Sequence, residues 1–210
     1  IMTLSKTILW CDRILRASYY ALILTLPIGT AFVEAFSGII ITAYFTKRCV
    51  LFAADPAWRG QSFFRIILLF FLAFRPRPHP TNLALGIFLL CNFLSAVFSQ
   101  IPSESWVAFV AKVFQAVMLY VAFYECFRER QHLEVFTLCF LTAIILMVVN
   151  SAVEFFAGRD LLHQHQISSD RRLASTFKHP NDFGTYLLVS VMWLLGVVMA
   201  WLEAGNLSHL

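Results

Sequence analysis

Four long apolar stretches, at residues 82–98, 106–127, 133–156 and 183–202, follow one another with only polar interruptions between them. That succession constrains the fold more than any other feature. About 20 apolar residues are what an α-helix needs to cross the roughly 30 Å hydrocarbon core of a bilayer. Inside lipid each backbone N–H and C=O must be paired within its own segment, so stretches of this length fold as helices. The breaks at 99–105 and 128–132 are short and polar, which suits turns between spans. Composition agrees. Of the 210 residues 60% are hydrophobic and 13% charged, against about 45–50% and about 25% in a soluble domain. A chain this size has too little interior to hide the surplus. The sequence therefore predicts an all-α, polytopic transmembrane bundle, with residues 1–210 forming a single transmembrane domain.

Upstream the pattern is less regular. Residues 17–45 are too long for one comfortable span and are interrupted by Pro27, Gly29, Glu34 and Gly38. Two short helices, about 17–33 and 36–45, are expected there as a tight hairpin. Residues 63–74 are apolar but carry Arg65 and stop at the Pro-rich run 75–80, so an interfacial helix is expected. The total is about six spans.

Orientation follows from the excess of Lys and Arg in cytoplasmic loops. With the N-terminus inside, Lys6, Arg13, Arg16, Lys47, Arg48, Arg59, Arg65, Arg75, Arg77, Arg128 and Arg130 fall on the cytoplasmic side, 11 of the 16 basic residues. Lys112 lies within a helix, about two turns from its outer end. Arg159, Arg171, Arg172 and Lys178 all lie in one outer loop, 158–180. A solvated loop where the orientation rule is weak accounts for them. So does an anion site on the outer face.

The end of that loop favours the second reading. Pro180 disfavours helix at the residue before it, and Asn181 or Asp182 suits the cap of the helix that follows. A helix N-terminus with free N–H groups, and Arg171, Arg172 and Lys178 just upstream, makes a good phosphate receptor. The net charge of +4 does not point to nucleic acid, because the basic residues are dispersed among apolar spans rather than gathered into a patch. No cleavable signal peptide is expected, since no small-residue cleavage site follows the first apolar run. A first residue that is Ile1 rather than Met points to a fragment or an unusual start. Cys11, Cys49, Cys91, Cys126 and Cys139 are expected to be apolar packing residues rather than a disulfide framework.

The run from Arg172 through Ser175, Thr176, Phe177, Pro180 and Asn181 into an apolar helix resembles the signature of the O-antigen ligase and polymerase family, Arg-x-x-Gly-Thr-Phe-x-x-Pro-Asn. Ser175 stands where glycine is usual. Ser95, Ser99, Pro102 and Ser105 are similar to that family's Ser…Ser-x-x-Pro-x-x-Ser turn between two spans, and Leu26, Pro27, Ile28 and Gly29 to a break in its first hairpin. The resemblance covers most of the chain. Members of the family are about twice as long, so these residues are expected to be the N-terminal half of a GT-C-like membrane glycosyltransferase.

What the resemblance implies is an enzyme of the bacterial inner membrane, N-terminus cytoplasmic and active face outward. Its donor would be a glycan on polyprenyl diphosphate. Its acceptor would be a second glycan or a lipid A core, giving ligation or polymerisation of surface polysaccharide. Arg172, matching the family's arginine, is the candidate catalytic residue; Arg171, Lys178, Asn181 and Lys112 are candidate diphosphate-binding residues. No metal or other cofactor is expected if arginines carry the charge, and the surrounding lipid is the remaining partner. Lys112 is equally able to snorkel to the surface. His163, His165 and His179 read as solvated loop residues. Glu34 and Glu154 read as interfacial, and Asn92 and Gln115 as helix ties or substrate contacts. A transporter component or a non-catalytic membrane assembly partner are the other classes the sequence leaves open.

Overall fold

The first corner shows how local sequence sets the elements. Pro27 has no N–H and its ring clashes with the carbonyl four residues back, so a helix cannot pass through it. Ile28 and Gly29 N–H groups turn back to the Thr25 carbonyl at 2.8 and 3.3 Å, and the chain re-enters helix at Thr30. In the computed structural model, which describes residues 2–56, 61–73, 81–159, 161, 177 and 180–207, helix α1 spans Met2–Thr25 and α2 spans Thr30–Ala54. The expected hairpin is therefore present, but its corner falls at 26–29 rather than at 34–35. Glu34 and Gly38 lie inside α2, since an internal glycine costs a helix only about 1 kcal/mol. Helix α1 starts 15 residues before its expected start and stops eight before its expected end, while α2 runs beyond both of its expected ends. Asp12, Arg13, Arg16, Lys47 and Arg48 consequently sit on helices.

The remaining elements follow the apolar stretches. Helix α3 is Phe63–Ala73, the expected short helix, and α4 is Thr81–Val97. Helix α5, Pro102–Ala108, continues through a π-helical segment, Phe109–Phe114, into α6, Gln115–Cys126. Helices α7, Arg130–Ala157, and α8, Pro180–Leu207, complete the chain. Every regular element among the described residues is helical.

Four helical stretches are long and apolar enough to cross a membrane: Ala31–Ala54, Pro102–Cys126, Arg130–Ala157 and Asn181–Leu202. The other two expected spans fall short for physical reasons. Any 18-residue window of α1 holds at least three of Lys6, Asp12, Arg13 and Arg16. Helix α4 has 17 residues, or about 25 Å at 1.5 Å per residue, a few ångströms less than the hydrocarbon core. Along α7 and α8 the outward faces are apolar, with Leu138, Ile145, Leu188 and Met192 all more than 60% exposed. Such surfaces suit lipid.

The chain divides into two compact units. The first comprises Ile1–Leu22 and Val33–Phe136. Its core is made by Cys11, Leu15, Tyr19 and Leu22 of α1, Ile40, Ala43 and Tyr44 of α2, and Val117, Val121 and Ala122 of α6. These recur at three- and four-residue spacing, one face of each helix. Aromatic rings then lock α1 to the turn after α6: Tyr19 meets Phe123 and Phe127 edge-on, both at 5.5 Å, and Phe127 meets Phe136 at 5.2 Å. Each such pair adds about 0.5–1.5 kcal/mol beyond its area.

The second unit comprises Ile23–Phe32 and Thr137–Leu210. Phe140 and Met147 of α7 meet Phe183 and Tyr186 of α8, with Ile23, Leu26, Ile144, Phe177, Leu187 and Trp193 packed around them.

Candidate functional site

The site expected at the start of α8 is approached by a loop whose two ends are held in the second unit. Helix α7 stops at Gly158, which has φ 74° and donates its N–H to the Glu154 carbonyl at 2.9 Å. A left-handed residue just past the last turn is the usual helix stop, and glycine takes it without a Cβ penalty. Three residues on, the Leu161 N–H donates to Asn150 Oδ1 at 2.9 Å. At the far end the Phe177 ring lies 5.8 Å from Tyr186 and 6.3 Å from Phe183. Helix α8 then opens on Pro180, a residue whose missing N–H is no loss at that position.

Because α8 begins at Pro180, Asn181 and Asp182 stand inside its first turn rather than capping it. Both are exposed. The first N–H groups of any helix lack intrahelical partners and carry a partial positive charge. Asp182 offsets part of that charge, so an anion held here needs basic side chains as well. Arg171, Arg172 and Lys178, the residues expected to supply them, lie outside the described residues, as do His163, His165 and His179. Arg159 is exposed one residue past Gly158.

Helix α7 carries a feature that reading the sequence for spans missed. Its buried face runs Phe140, Ala143, Met147, Asn150, Ser151, Glu154, apolar at first and polar in the two turns nearest the loop. Glu154 is only 2% exposed, so it lies inside the protein rather than at a wetted interface, whereas Glu34 is exposed on α2. Ser151 and Ser190 each return their hydroxyl to the carbonyl four residues back, at 2.8 Å, which satisfies both serine donors. The spacing of Asn150, Ser151 and Glu154 continues the apolar stripe of Phe140 and Met147. That continuity was the available signal.

In the first unit, Lys112 is exposed within the π-helical segment and lines a shallow groove of about 440 Å³ with Ser103, Glu104, Val107, Ala108 and Ala111. The turn before it is built by its serines. The Ser99 hydroxyl accepts the Ile101 N–H at 3.1 Å and meets the Ser105 hydroxyl at 2.6 Å, while Pro102 starts α5. Phe93, Trp106 and Phe109 stack edge-on over 5.4–5.9 Å to hold α4 beside this segment. Asn92 donates to the Phe88 carbonyl of its own helix at 2.8 Å. Lys112 and Asn181 thus belong to different units.

The basic residues assigned to the cytoplasmic side also have a structural task. Lys47 pairs with Asp12 at 2.5 Å, Arg48 with Glu125, and Arg16 with His132. Arg48 further donates Nε–H to the Tyr44 hydroxyl at 3.0 Å and lies 5.3 Å from that ring. Side chains of the first two pairs are between 9% and 26% exposed. Charges on helices in apolar surroundings are expensive unless paired, and here α1, α2, α6 and α7 supply one another's partners. Among the described residues no group of three His, Cys, Asp or Glu side chains is placed to hold a metal. No family model, curated protein or solved structure matches this chain.

Proposed function

We propose that the chain is a membrane glycosyltransferase of the O-antigen ligase or polymerase type. In this reading it moves a glycan from polyprenyl diphosphate to a second glycan or a lipid A core, on the outer face of the bacterial inner membrane. The observation that carries the reading is the run from Arg172 to Asn181, which leads straight into the N-terminus of α8. Four helices able to cross a membrane suit a lipid-linked donor, and the paired serine turn before α5 is the second stretch resembling that family.

The chemistry follows from charge. A hydroxyl oxygen of the acceptor attacks the anomeric carbon, the bond from that carbon to the diphosphate oxygen breaks, and the hydroxyl proton leaves to a base. Negative charge grows on the departing diphosphate. Arg172 would meet that growing charge, so it stabilises the transition state more than the ground state. Arg171 and Lys178 would hold the diphosphate, with the free N–H groups at Asn181 adding to them.

The test is transfer of a glycan from polyprenyl diphosphate in proteoliposomes made with the complete reading frame that carries these 210 residues. Wild type should form product, and Arg172→Ala should lose at least a hundredfold in kcat, the size of effect seen when one transition-state donor is removed. Equal rates for the two proteins would remove Arg172 from the chemistry.

A further inference from the structure

We infer that the outward face of α1 is a docking surface for anionic phospholipid, with Lys6 and Arg13 taking the headgroup phosphate and Trp10 seated between them at headgroup level. Nothing in this surface depends on the chemistry proposed for the start of α8.

Helix geometry separates the two sides of α1. Its buried side is Cys11, Leu15, Tyr19 and Leu22, packed into the first unit. At about 100° per residue, Lys6, Trp10 and Arg13 recur four and three residues apart on the opposite side. All three are exposed, Trp10 at 61%, with Leu9 at 56% and Ile14 at 43% beside it. A bare indole flanked by leucine and isoleucine is costly in water and common at a membrane interface. The Arg13 guanidinium lies 5.6 Å from the Trp10 ring centroid, so ring and charge make one surface.

The charges decide which lipid fits. Asp12 is engaged by Lys47, Glu125 by Arg48 and Glu134 by Arg130. Among the described residues, Lys6 and Arg13 make no ion pair. They are seven residues apart, or about 10 Å along the helix. Their methylene stems can lie along the apolar flank while the charged heads reach toward phosphate. The same charges keep this half of α1 out of the hydrocarbon core. Each Lys or Arg close to an anionic leaflet gains about 1 kcal/mol, a factor of about five. A zwitterionic headgroup carries its own cation and gains little from two more.

The experiment places the complete reading frame that carries these residues in phosphatidylcholine nanodiscs, with a trace of photoactivatable phosphatidylglycerol or photoactivatable phosphatidylcholine. Crosslinks to residues 6–17 are quantified by mass spectrometry. Wild type should label about five- to twentyfold more from phosphatidylglycerol than from phosphatidylcholine. Lys6→Gln/Arg13→Gln should bring the two yields together. The swap Lys6→Arg/Arg13→Lys, which keeps both charges, should stay within about twofold of wild type, and so should Arg130→Gln, whose cation is already paired. Free glycerol phosphate should not displace the label. Equal yields from the two lipids in wild type overturn the inference, as does a preference that survives Lys6→Gln/Arg13→Gln. Arg130→Gln losing as much as that double variant would assign the preference to the field of the whole protein end rather than to this face, and overturns it too. Displacement by free glycerol phosphate would make this a site for soluble phosphate and equally refutes lipid docking.

Discussion

Replacing Glu125 with leucine should destabilise the first unit by about 3 kcal/mol. The Arg48–Glu125 pair is 15% and 9% exposed, so water screens it little. Two unit charges about 4 Å apart at an effective dielectric of 20 attract by about 4 kcal/mol. Removing one member of a buried pair costs about 3–5 kcal/mol, because the survivor is left charged and unpaired. Here the survivor keeps some company: Arg48 still donates to the Tyr44 hydroxyl at 3.0 Å and faces its ring at 5.3 Å. That places the loss at the low end. The double variant Arg48→Leu/Glu125→Leu removes both charges and should return to within about 1 kcal/mol of wild type, since apolar replacement of a whole buried pair is often neutral or better. The assay is reversible unfolding in mixed micelles titrated with a denaturing detergent, read as a double-mutant cycle. Glu134→Leu serves as control, because its pair with Arg130 is 61% and 84% exposed and such pairs contribute about 0–1 kcal/mol. The reasoning fails if Glu125→Leu loses less than about 1 kcal/mol, or if the double variant loses as much as the sum of the singles.

Three further outcomes follow from the second unit. Met147→Ala, at a site with no exposed surface, should lower stability by about 2–5 kcal/mol in the same titration; a loss below about 1 kcal/mol would mean the core there collapses freely. Gly158→Ala should lose about 1–2 kcal/mol through backbone strain alone, because φ is 74° and a Cβ there would meet nothing within 4 Å. Gly184→Ala also adds its Cβ in open space, but without a positive φ, so it should be neutral or slightly stabilising.

Much of the helical layout was legible because apolar run length is a one-dimensional property. The stretches at 106–127, 133–156 and 183–202 match, within a few residues, helices long and apolar enough to cross a membrane. The first hairpin was read with its corner misplaced, since Glu34 and Gly38 look like breaks only when the larger effect of Pro27 is underweighted. The charged residues of α1 and α2 were read as flanks because hydropathy cannot see partners: Lys47 and Asp12 are 35 residues apart in the chain, and Arg48 and Glu125 are 77. Glu154 was misread for a related reason, since a carboxylate near a helix end looks interfacial until the helix is rotated and the stripe through Phe140, Met147 and Asn150 is seen to include it. At the candidate site, the start of α8 was legible from Pro180. The anchoring of Phe177 was not, because its ring partners lie in a helix that begins only after it.

The most direct test of the account is restoration of surface polysaccharide in a bacterial strain lacking its own O-antigen ligase or polymerase. The complete reading frame is supplied either as wild type or as Arg172→Ala, and insertion of both proteins is checked by membrane fractionation. The account predicts that wild type restores the polysaccharide and that Arg172→Ala does not, at equal protein in the membrane. Restoration by both, or by neither, would contradict it.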